Sequence, residues 1–362
     1  MQTVISKSMR AAVYQGGSVV AVEDVPTPKI AAGEMLIRVE ACGVCHTDLK
    51  KIEYDLLPAP RIYGHETAGV VAAVGAGVTK YVPGDRVVVF HHIPCGECFY
   101  CARHLYAQCP VYKKVGVTAG FEPAGGGFAQ YVRVMDWIVE RGVEKIPDGV
   151  PFEVASFVEP VNTCVKGVAQ LDPRAGDVVL VQGQGPIGLI FTMLLNLRGC
   201  VVVATDTIAK RLELSGVCGA LAVNPLVEDV AGRLRELTDG RGADAVISAT
   251  SAKGLVEQAV AVTRPGAKIL LFAQTSDKER IELSGASICK DERVLMGSYS
   301  ASVDLQAESA DLVFSGKIPV HLLISHVVPL DKIEFAFRLA THPAEFVGEN
   351  PLKIVVQPQV VA

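Results

Sequence analysis

A glycine-rich turn between an apolar run and a helical pattern restricts the possible folds of this chain more than any other feature. Val178–Val181 is a short apolar run typical of a buried strand, and Ile187–Leu197 has the pattern of a buried helix. Between them stand Gly183, Gly185 and Gly188 in the order G-x-G-x-x-G. In this context the first glycine permits a tight turn, the second lets the backbone approach a pyrophosphate, and the third lets the helix pack closely on the strand. The turn therefore predicts a strand–turn–helix unit that binds a dinucleotide.

The helix after this turn and an acidic residue beyond it indicate which dinucleotide is bound. The helix begins around Pro186 and Ile187, where its N-terminus offers free N–H groups and the positive end of its dipole to phosphates. Asp206 ends the next predicted strand, 18 residues after Gly188. An acid there accepts hydrogen bonds from the adenosine ribose and repels a 2′-phosphate. We therefore expect NAD rather than NADP; the alternative is that Asp206 only caps the following helix.

The pattern of strands and helices changes along the chain. The N-terminal part has short apolar runs separated by Gly and Pro, which predict β-structure. These runs are Arg10–Tyr14, Met35–Ala41, Val70–Val74, Val87–Phe90 and Phe128–Val134. The middle alternates strands with helices, which predicts βαβ units, a parallel sheet and an α/β fold. Its segments are Val178–Val181, Ile187–Leu197, Val201–Thr205, Ala209–Gly216, Val227–Leu237, Ala245–Ser248, Lys253–Thr263 and Ile269–Phe272. Two helices, Asp304–Ser315 and Asp331–Leu339, and a strand, Leu352–Val356, are predicted near the end.

Charge and hydropathy exclude several kinds of partner. The 34 Lys and Arg residues are outnumbered by 39 Asp and Glu, and the net charge of -5 leaves no basic footprint for nucleic acid. The N-terminal segment lacks the continuous apolar stretch of a secretion signal, so we expect a cytoplasmic protein. Val178–Leu197 carries no charge over a length that could cross a bilayer. Its glutamines and glycines favour a buried strand, turn and helix instead, and no membrane association is expected.

Four of the ten cysteines form a cluster within fifteen residues: Cys95, Cys98, Cys101 and Cys109. In a chain without an export signal, such a cluster favours metal binding over disulfides. Four thiolates that leave no open position are typical of structural Zn²⁺. An iron–sulfur cluster also uses four cysteines, but the sequence has no other electron-transfer feature, which favours zinc.

A second set of potential metal ligands is dispersed along the chain. Cys45 stands three residues before Asp48, and His65 follows Cys45 by 20 residues. A thiolate and an imidazole bind Zn²⁺, and a carboxylate beside them can orient the imidazole. Taken singly, Cys45 and His65 would by default be interpreted as a buried thiol and a hydrogen-bonded buried histidine. With one further carboxylate they would leave a fourth position open, as catalytic zinc requires.

These motifs resemble those of zinc-dependent medium-chain alcohol dehydrogenases. Gly64-His65-Glu66, followed by Gly69, Gly75 and Val78, matches the zinc signature of that family. The cysteine lobe and the glycine turn stand in the family's order, and the resemblance covers essentially the whole chain. It implies a GroES-like β-rich catalytic domain over residues 1–155 with a zinc lobe at 91–112, a doubly wound Rossmann domain over 156–298, and a return to the catalytic domain over 299–362. Zinc and nicotinamide are expected in the cleft between the domains.

The resemblance also implies roles for individual residues. Cys45 and His65 match the first two ligands of the catalytic zinc, and Glu66 matches an acid that can approach the metal. Thr47 matches the hydroxyl that receives the substrate's proton, and Asp48 matches the partner of the ligating histidine. The residues at positions that bind the cofactor are His46, Thr163, Gly183, Gly185, Pro186, Ile187, Gly188, Asp206 and Arg211.

Two positions depart from simple alcohol dehydrogenases. Their third catalytic ligand is a cysteine before the glycine turn, whereas Glu159 precedes Gly183 by 24 residues here, as a glutamate does in the sorbitol dehydrogenase branch. We therefore expect Glu159 as the third ligand; the alternatives are that it only starts a helix, and that Cys164 is the ligand. The second departure is Lys50, where many relatives carry a histidine that ends a proton relay. Water, the ribose hydroxyl or His46 would then substitute for that histidine in the proton relay.

The resemblance implies a zinc- and NAD-dependent oxidoreductase, with two Zn²⁺ per chain, that oxidises a small-molecule secondary alcohol or polyol to a ketone. L-Threonine 3-dehydrogenase is the alternative, because His92 stands where those enzymes carry a histidine; an ordinary loop histidine would also explain it. A zinc-free or non-catalytic relative is a further alternative, but such relatives lack the cysteine lobe and the catalytic zinc ligands that this sequence carries. Arg293–Tyr299 matches the last Rossmann strand, which pairs across a two-fold axis in this family, so we expect a homodimer or homotetramer.

Overall fold

The structure, a computed structural model, describes residues 5–112, 125–274 and 278–360. Packing contacts divide the chain into two units: Met1–Asn162 together with Ala301–Ala362, and Thr163–Ser300. The first change of unit falls inside a helix and the second directly after Ser300, whereas the boundaries predicted from the sequence lay after residues 155 and 298. The helix that contains the first change therefore contributes residues to both units.

The secondary structure is numbered in chain order. The strands are β1 (Ser8–Gly16), β2 (Val19–Pro26), β3 (Met35–Gly43), β4 (Arg61–Ile62), β5 (Glu66–Val74), β6 (Arg86–Val89), β7 (Tyr131–Val134), β8 (Val143–Lys145), β9 (Val178–Gln182), β10 (Val201–Thr205), β11 (Leu221–Val223), β12 (Ala243–Ser248), β13 (Thr263–Leu271), β14 (Val294–Gly297), β15 (Ile324–Pro329) and β16 (Lys353–Gln357). The α-helices are α1 (His46–Glu53), α2 (Asp136–Arg141), α3 (Phe152–Ala155), α4 (Val158–Leu171), α5 (Pro186–Leu197), α6 (Ala209–Val217), α7 (Val230–Leu237), α8 (Leu255–Val262), α9 (Gly285–Cys289), α10 (Gln306–Phe314) and α11 (Ile333–Thr341).

The first unit is built on two β-sheets. The larger has the strand order β15-β16-β3-β5-β6-β8 with β7 also paired to β3, and the smaller has the order β2-β1-β4. Strand β3 is mostly buried, as its apolar run predicts. Its antiparallel pairing with β5 sets Gly43 opposite Glu66. Because of this register, the residues just after β3 lie beside those just before β5, and these two segments carry Cys45 and His65.

The second unit is a parallel six-stranded sheet with the order β11-β10-β9-β12-β13-β14. Every neighbouring pair in it is parallel, as the predicted alternation of strands and helices requires. This is the doubly wound order, in which the direction of winding reverses at β9. The glycine turn follows β9, so it lies at the crevice where such sheets bind nucleotides. The α/β fold predicted from the sequence is confirmed.

The glycine turn shows why two of its three glycines are needed. Gly183 has a φ of +87°, a left-handed conformation that side chains rarely adopt. A Cβ on Gly188 would lie 1.8 Å from the carbonyl oxygen of Gly183, so only glycine lets α5 start this close to β9. A Cβ on Gly185 would meet nothing within 4 Å, which leaves space beside the backbone at that position.

The long uncharged segment Val178–Leu197 folds as predicted, into β9, the turn and the buried helix α5. Among the helices in the described residues, none has the length and apolar character that crossing a bilayer demands.

Several predicted boundaries differ from the structure: β5 begins at Glu66 rather than Val70, and β13 begins at Thr263 rather than Ile269. Two further differences have local reasons. Helix α7 begins at Val230 rather than Val227, because Asn224 starts a turn: its side chain accepts from the N–H of Leu226, and its carbonyl accepts from Glu228. Strand β7 begins at Tyr131 rather than Phe128. The backbone before it bonds mainly to Tyr63 and to β1, while the carbonyl oxygen of Gln130 accepts from the N–H of Val39 in β3.

Candidate active site and metal centres

The start of α1 presents three of the predicted site residues. Cys45 has an extended backbone and precedes the helix, Thr47 is half-buried in its first turn, and Asp48 is fully buried. The other prediction in this helix, His46, is exposed. A helix that begins directly after a buried strand thus fixes the thiol and the carboxylate on one rigid element.

Asp48 and His65 form a buried pair. His65 Nδ1 lies 2.9 Å from Asp48 Oδ1, and both side chains are almost fully excluded from solvent. Burial by itself raises the pKa of Asp48, but the attraction of His65 outweighs it, so the pKa lies below its ordinary value. An ionised Asp48 holds the proton of His65 on Nδ1, which leaves the Nε2 lone pair to bind a metal.

Two overlapping groups of metal-binding side chains share His65. Cys45, His65 and Glu66 form one, and His65, His91 and Glu159 form the other; in each, the ligand atoms lie within 4.8 Å of one another. Glu159 lies in the first turn of α4 and is buried, and this burial raises its pKa to about 7. A bound cation would favour its ionised form.

Cys164, the rival to Glu159, belongs to neither of these groups. Its thiol is fully buried in α4 and lies 3.9 Å from the carbonyl oxygen of Ile187. This environment is that of a packed core cysteine.

Glu66 forms an ion pair with a residue far away in the sequence. Lys353, in β16, places its Nζ 2.6 Å from both carboxylate oxygens of Glu66 and 3.2 Å from the carbonyl oxygen of Val44. Both side chains are buried, at 5% and 1% exposure. Lys353 thus neutralises Glu66 directly beside His65.

The four clustered cysteines converge on a point that one ion could occupy. Cys95 Sγ lies 3.8 Å from Cys101 Sγ and 3.6 Å from Cys109 Sγ, and Cys98 Sγ lies 3.5 Å from Cys101 Sγ. Four sulfurs about 2.3 Å from a tetrahedral zinc lie about 3.8 Å apart. Backbone N–H groups of Glu97 and Cys98 lower the pKa of Cys95 to about 7, which favours the thiolate that binds metal.

In the second unit, Asp206 links the glycine turn to the helix after the next strand. One carboxylate oxygen accepts from the N–H of Gln184 at 2.7 Å, and the other accepts from the N–H of Ile208 at 2.9 Å. Arg211 Nη1 lies 3.9 Å from the same carboxylate. Thr163 is half-buried in α4. Asp206 thus forms a local turn with Ile208, and the N-terminus of α6 itself has no side-chain cap.

Comparisons with known proteins agree with this arrangement. Residues 31–148 match the alcohol dehydrogenase GroES-like domain, and residues 186–315 match the zinc-binding dehydrogenase family. The chain is 28% identical to sorbitol dehydrogenase of Bacillus subtilis over 99% of both chains. It is 32% identical to L-threonine 3-dehydrogenase of Pyrococcus abyssi over 87% of this chain and 90% of that protein.

The chain belongs to the zinc-dependent medium-chain alcohol dehydrogenase family. The solved structure of alcohol dehydrogenase TADH from Thermus sp. ATN1 is similar to it, with a TM-score of 0.84 and 28% identity over 96% of this chain and 99% of that one. The predicted family and its pairing of a GroES-like with a Rossmann domain are confirmed. The chain is thus a dehydrogenase of this family.

Sequence reasoning missed two residues of this dehydrogenase's candidate site. Lys353 was not singled out because nothing in its neighbourhood links it to Glu66, 287 residues earlier. His91 was treated only as the neighbour of His92, yet it lies against His65, with the ring centroids 4.7 Å apart. The one available signal was that His91 comes directly after the predicted strand Val87–Phe90 and four residues before Cys95.

Proposed function

We propose that this chain oxidises a secondary alcohol or polyol to a ketone, with NAD as the hydride acceptor and a zinc ion held by Cys45, His65 and Glu159. The proposal rests chiefly on the convergence of His65 with Cys45 on one side and Glu159 on the other. The match to the zinc-binding dehydrogenase family and the similarity to a relative named sorbitol dehydrogenase support alcohol oxidation.

The donor chemistry fits zinc at this place. A thiolate, an imidazole and a carboxylate are ordinary zinc ligands, and three of them leave room for substrate. Asp48 supplies the hydrogen bond that orients a ligating imidazole. Zinc bound here supplies Lewis-acid polarisation of the substrate hydroxyl. The four-cysteine lobe supports a second, structural zinc, because its sulfurs have the separation of a tetrahedral site.

Several residues of the chain have separate tasks in this proposal. Thr47, two residues beyond Cys45 on α1, takes the proton of the substrate hydroxyl and passes it outward. Asp48 keeps the Nε2 lone pair of His65 directed to the metal. Lys353 holds both oxygens of Glu66, so this carboxylate is kept from competing as a ligand. Lys50 stands in α1 where many relatives carry a histidine, so the proton leaves by a route that uses no histidine at that position.

The second unit supports NAD as the cofactor. The space beside Gly185 and the N-terminus of α5 suit a pyrophosphate. Asp206 lies between the glycine turn and Ile208, where a second negative charge from a 2′-phosphate would be repelled.

A narrower candidate is L-threonine 3-dehydrogenase. His92 favours it, since its ring lies between those of His91 and Tyr112, tilted against both with ring centroids 4.0 and 4.9 Å away, next to the proposed zinc site. A panel of polyols, secondary alcohols and L-threonine, followed by absorbance of the reduced cofactor, separates the two. Turnover of L-threonine alone would replace the polyol proposal with the threonine one.

The metal assignment is tested by measuring zinc content in matched variants. The unmodified chain should hold two zinc ions, and brief chelator treatment should remove one of them and all activity, because a carboxylate holds zinc less tightly than four thiolates. Glu159→Ala should lose that same zinc, whereas Cys164→Ala, altered in the same helix, should keep it. Cys101→Ser should lose the other zinc and lower stability. Loss of the chelator-sensitive zinc from Cys164→Ala, and not from Glu159→Ala, would refute the ligand set.

A further inference from the structure

We infer that His91 is a fourth protein ligand of the metal held by Cys45, His65 and Glu159, which completes the coordination when substrate is absent. The inference rests on the proposed function, since it concerns the same metal. His91 follows β6 by two residues and is buried, with 6% of its surface exposed. A buried, rigid strand end therefore delivers its imidazole to the site.

The distances around His91 favour ligation over a simple hydrogen bond. Its Nδ1 lies 3.7 Å from Oε1 of Glu159, which is longer than the usual N–H···O separation of about 2.7–3.2 Å. Two ligands about 2.0–2.1 Å from one tetrahedral zinc lie about 3.4 Å apart. The ligand atoms of His65, His91 and Glu159 all lie within 4.8 Å of one another, so little adjustment brings them around one ion.

The two overlapping ligand groups describe one metal rather than two. Both groups contain His65, and Asp48 occupies its Nδ1, so a single nitrogen remains to bind a single ion. Of the five side chains in the two groups, Glu66 is held at both oxygens by Lys353. The remaining four, Cys45, His65, His91 and Glu159, equal the number of ligands that tetrahedral zinc prefers.

This arrangement has a consequence for substrate binding. Four protein ligands would leave no open position on a bound zinc, so the substrate hydroxyl would have to displace one of them or expand the coordination to five. His91 would be the ligand to give way, because Asp48 anchors His65, whereas Cys45 and Glu159 would hold a cation through negative charge. The resting metal should accordingly be held more firmly than a three-ligand site would hold it.

The test replaces the chelator-sensitive zinc with Co²⁺, whose visible absorption responds to the number and type of its ligands. The matched variants are His91→Phe, which keeps a ring without a donor, and His92→Phe, which alters the neighbouring histidine outside both ligand groups. His91→Phe should change the visible cobalt bands and speed metal loss to a chelator by about ten-fold or more. His92→Phe should retain the cobalt spectrum and the metal-loss rate of the unmodified protein.

A second variant keeps the test decisive if His91→Phe folds poorly. His91→Cys replaces one zinc ligand with another, so it should retain the metal and add sulfur-to-cobalt charge-transfer absorption in the near ultraviolet. The inference is overturned if His91→Phe leaves the bands and the rate of loss unchanged, or if His91→Cys adds no such absorption. In either case the proposed function would still stand if Glu159→Ala lost the chelator-sensitive metal. Failure of the unmodified chain to bind any metal outside the cysteine lobe would overturn both.

Discussion

A single carboxylate, that of Asp206, joins the glycine turn to the segment that precedes α6. Both of its oxygens accept backbone N–H groups, from Gln184 and Ile208. Its charge therefore stays fixed at the end of β10, the position at which an acid selects NAD over NADP. The hydrogen bond to Ile208 is a local turn, and it leaves the carboxylate charge in place for the cofactor-selecting role that the sequence predicts.

Asp206→Asn separates these two roles, because the amide keeps one acceptor oxygen and loses the charge. We expect the ratio of kcat/KM for NAD to that for NADP to fall by at least about ten-fold, equivalent to about 1.4 kcal/mol. Steady-state assays with both cofactors measure it. Asp177→Asn is the control, since Asp177 caps a turn of the same unit through the N–H of Arg174. Equal use of NAD and NADP by the unmodified chain would contradict the assignment.

At the scale of elements, two glycines at the junction of β9 with α5 should respond differently to replacement by alanine. Gly188→Ala would drive a Cβ into the carbonyl oxygen of Gly183, and we expect a loss of about 1–3 kcal/mol or more in the free energy of unfolding. Gly185 has a φ of -69° and open space around it, so Gly185→Ala should fold normally. That variant should instead weaken NAD binding, because the methyl group occupies the approach of the pyrophosphate. Thermal unfolding and NAD titration of both variants check this, and a normally stable Gly188→Ala would disprove the packing role.

A partly buried ion pair between Glu34 and Arg133 stabilises the segment just before β3, and it makes the free energy of unfolding depend on pH. Glu34 accepts from Arg133 Nε at 2.8 Å and Nη2 at 2.7 Å, and from the N–H of Ala31 at 2.7 Å. The hydrogen bonds from Arg133 lower the pKa of Glu34 despite its burial. The pKa of Glu34 is therefore lower in the folded chain than in the unfolded chain. Its stabilisation of the fold is fully present when the pH is above the pKa of the unfolded chain, and it is lost as the pH falls through the pKa of the folded chain.

Glu34→Gln should therefore cost about 1.5–3 kcal/mol in the free energy of unfolding at neutral pH. The difference from the unmodified chain should shrink on acidification below about pH 4, where the carboxyl of the unfolded chain is protonated. Urea unfolding at both pH values measures it, with the exposed Glu213→Gln on α6 as the control. A difference that stays constant with pH would show that Glu34 acts through shape rather than charge.

At the scale of the whole molecule, the parts that could be predicted from sequence are those encoded over short spans. The cysteine lobe occupies fifteen residues and the glycine turn six, so spacing alone indicates their chemistry. The pairing of Lys353 with Glu66 depends on β16 joining β3, and no local pattern shows which strands will be neighbours. His91 meets Glu159 for a similar reason, as 68 residues separate them. Contacts between residues that are far apart in the sequence are therefore the ones that sequence patterns could not supply.

The edge of the Rossmann sheet bears on the assembly of the whole molecule. Strand β14 is the last in its sheet, and in the part of the chain that the structure describes no strand pairs with its outer edge. Such an edge is a template for pairing, and a two-fold axis would let it pair with its own copy. We therefore predict a homodimer or a dimer of dimers. Val294, 44% exposed on this strand, should not tolerate a charge.

Light scattering at micromolar concentration should give the mass of two or four chains for the unmodified protein. Val294→Asp should shift it towards smaller species, because the carboxylates of two copies would be brought together and desolvated at the shared edge. Val217→Asp, at a more exposed valine on α6 with 68% exposure, is the matched control and should leave the assembly unchanged. A monomeric unmodified chain would refute the predicted assembly. An oligomer unaffected by Val294→Asp would place the interface on another surface.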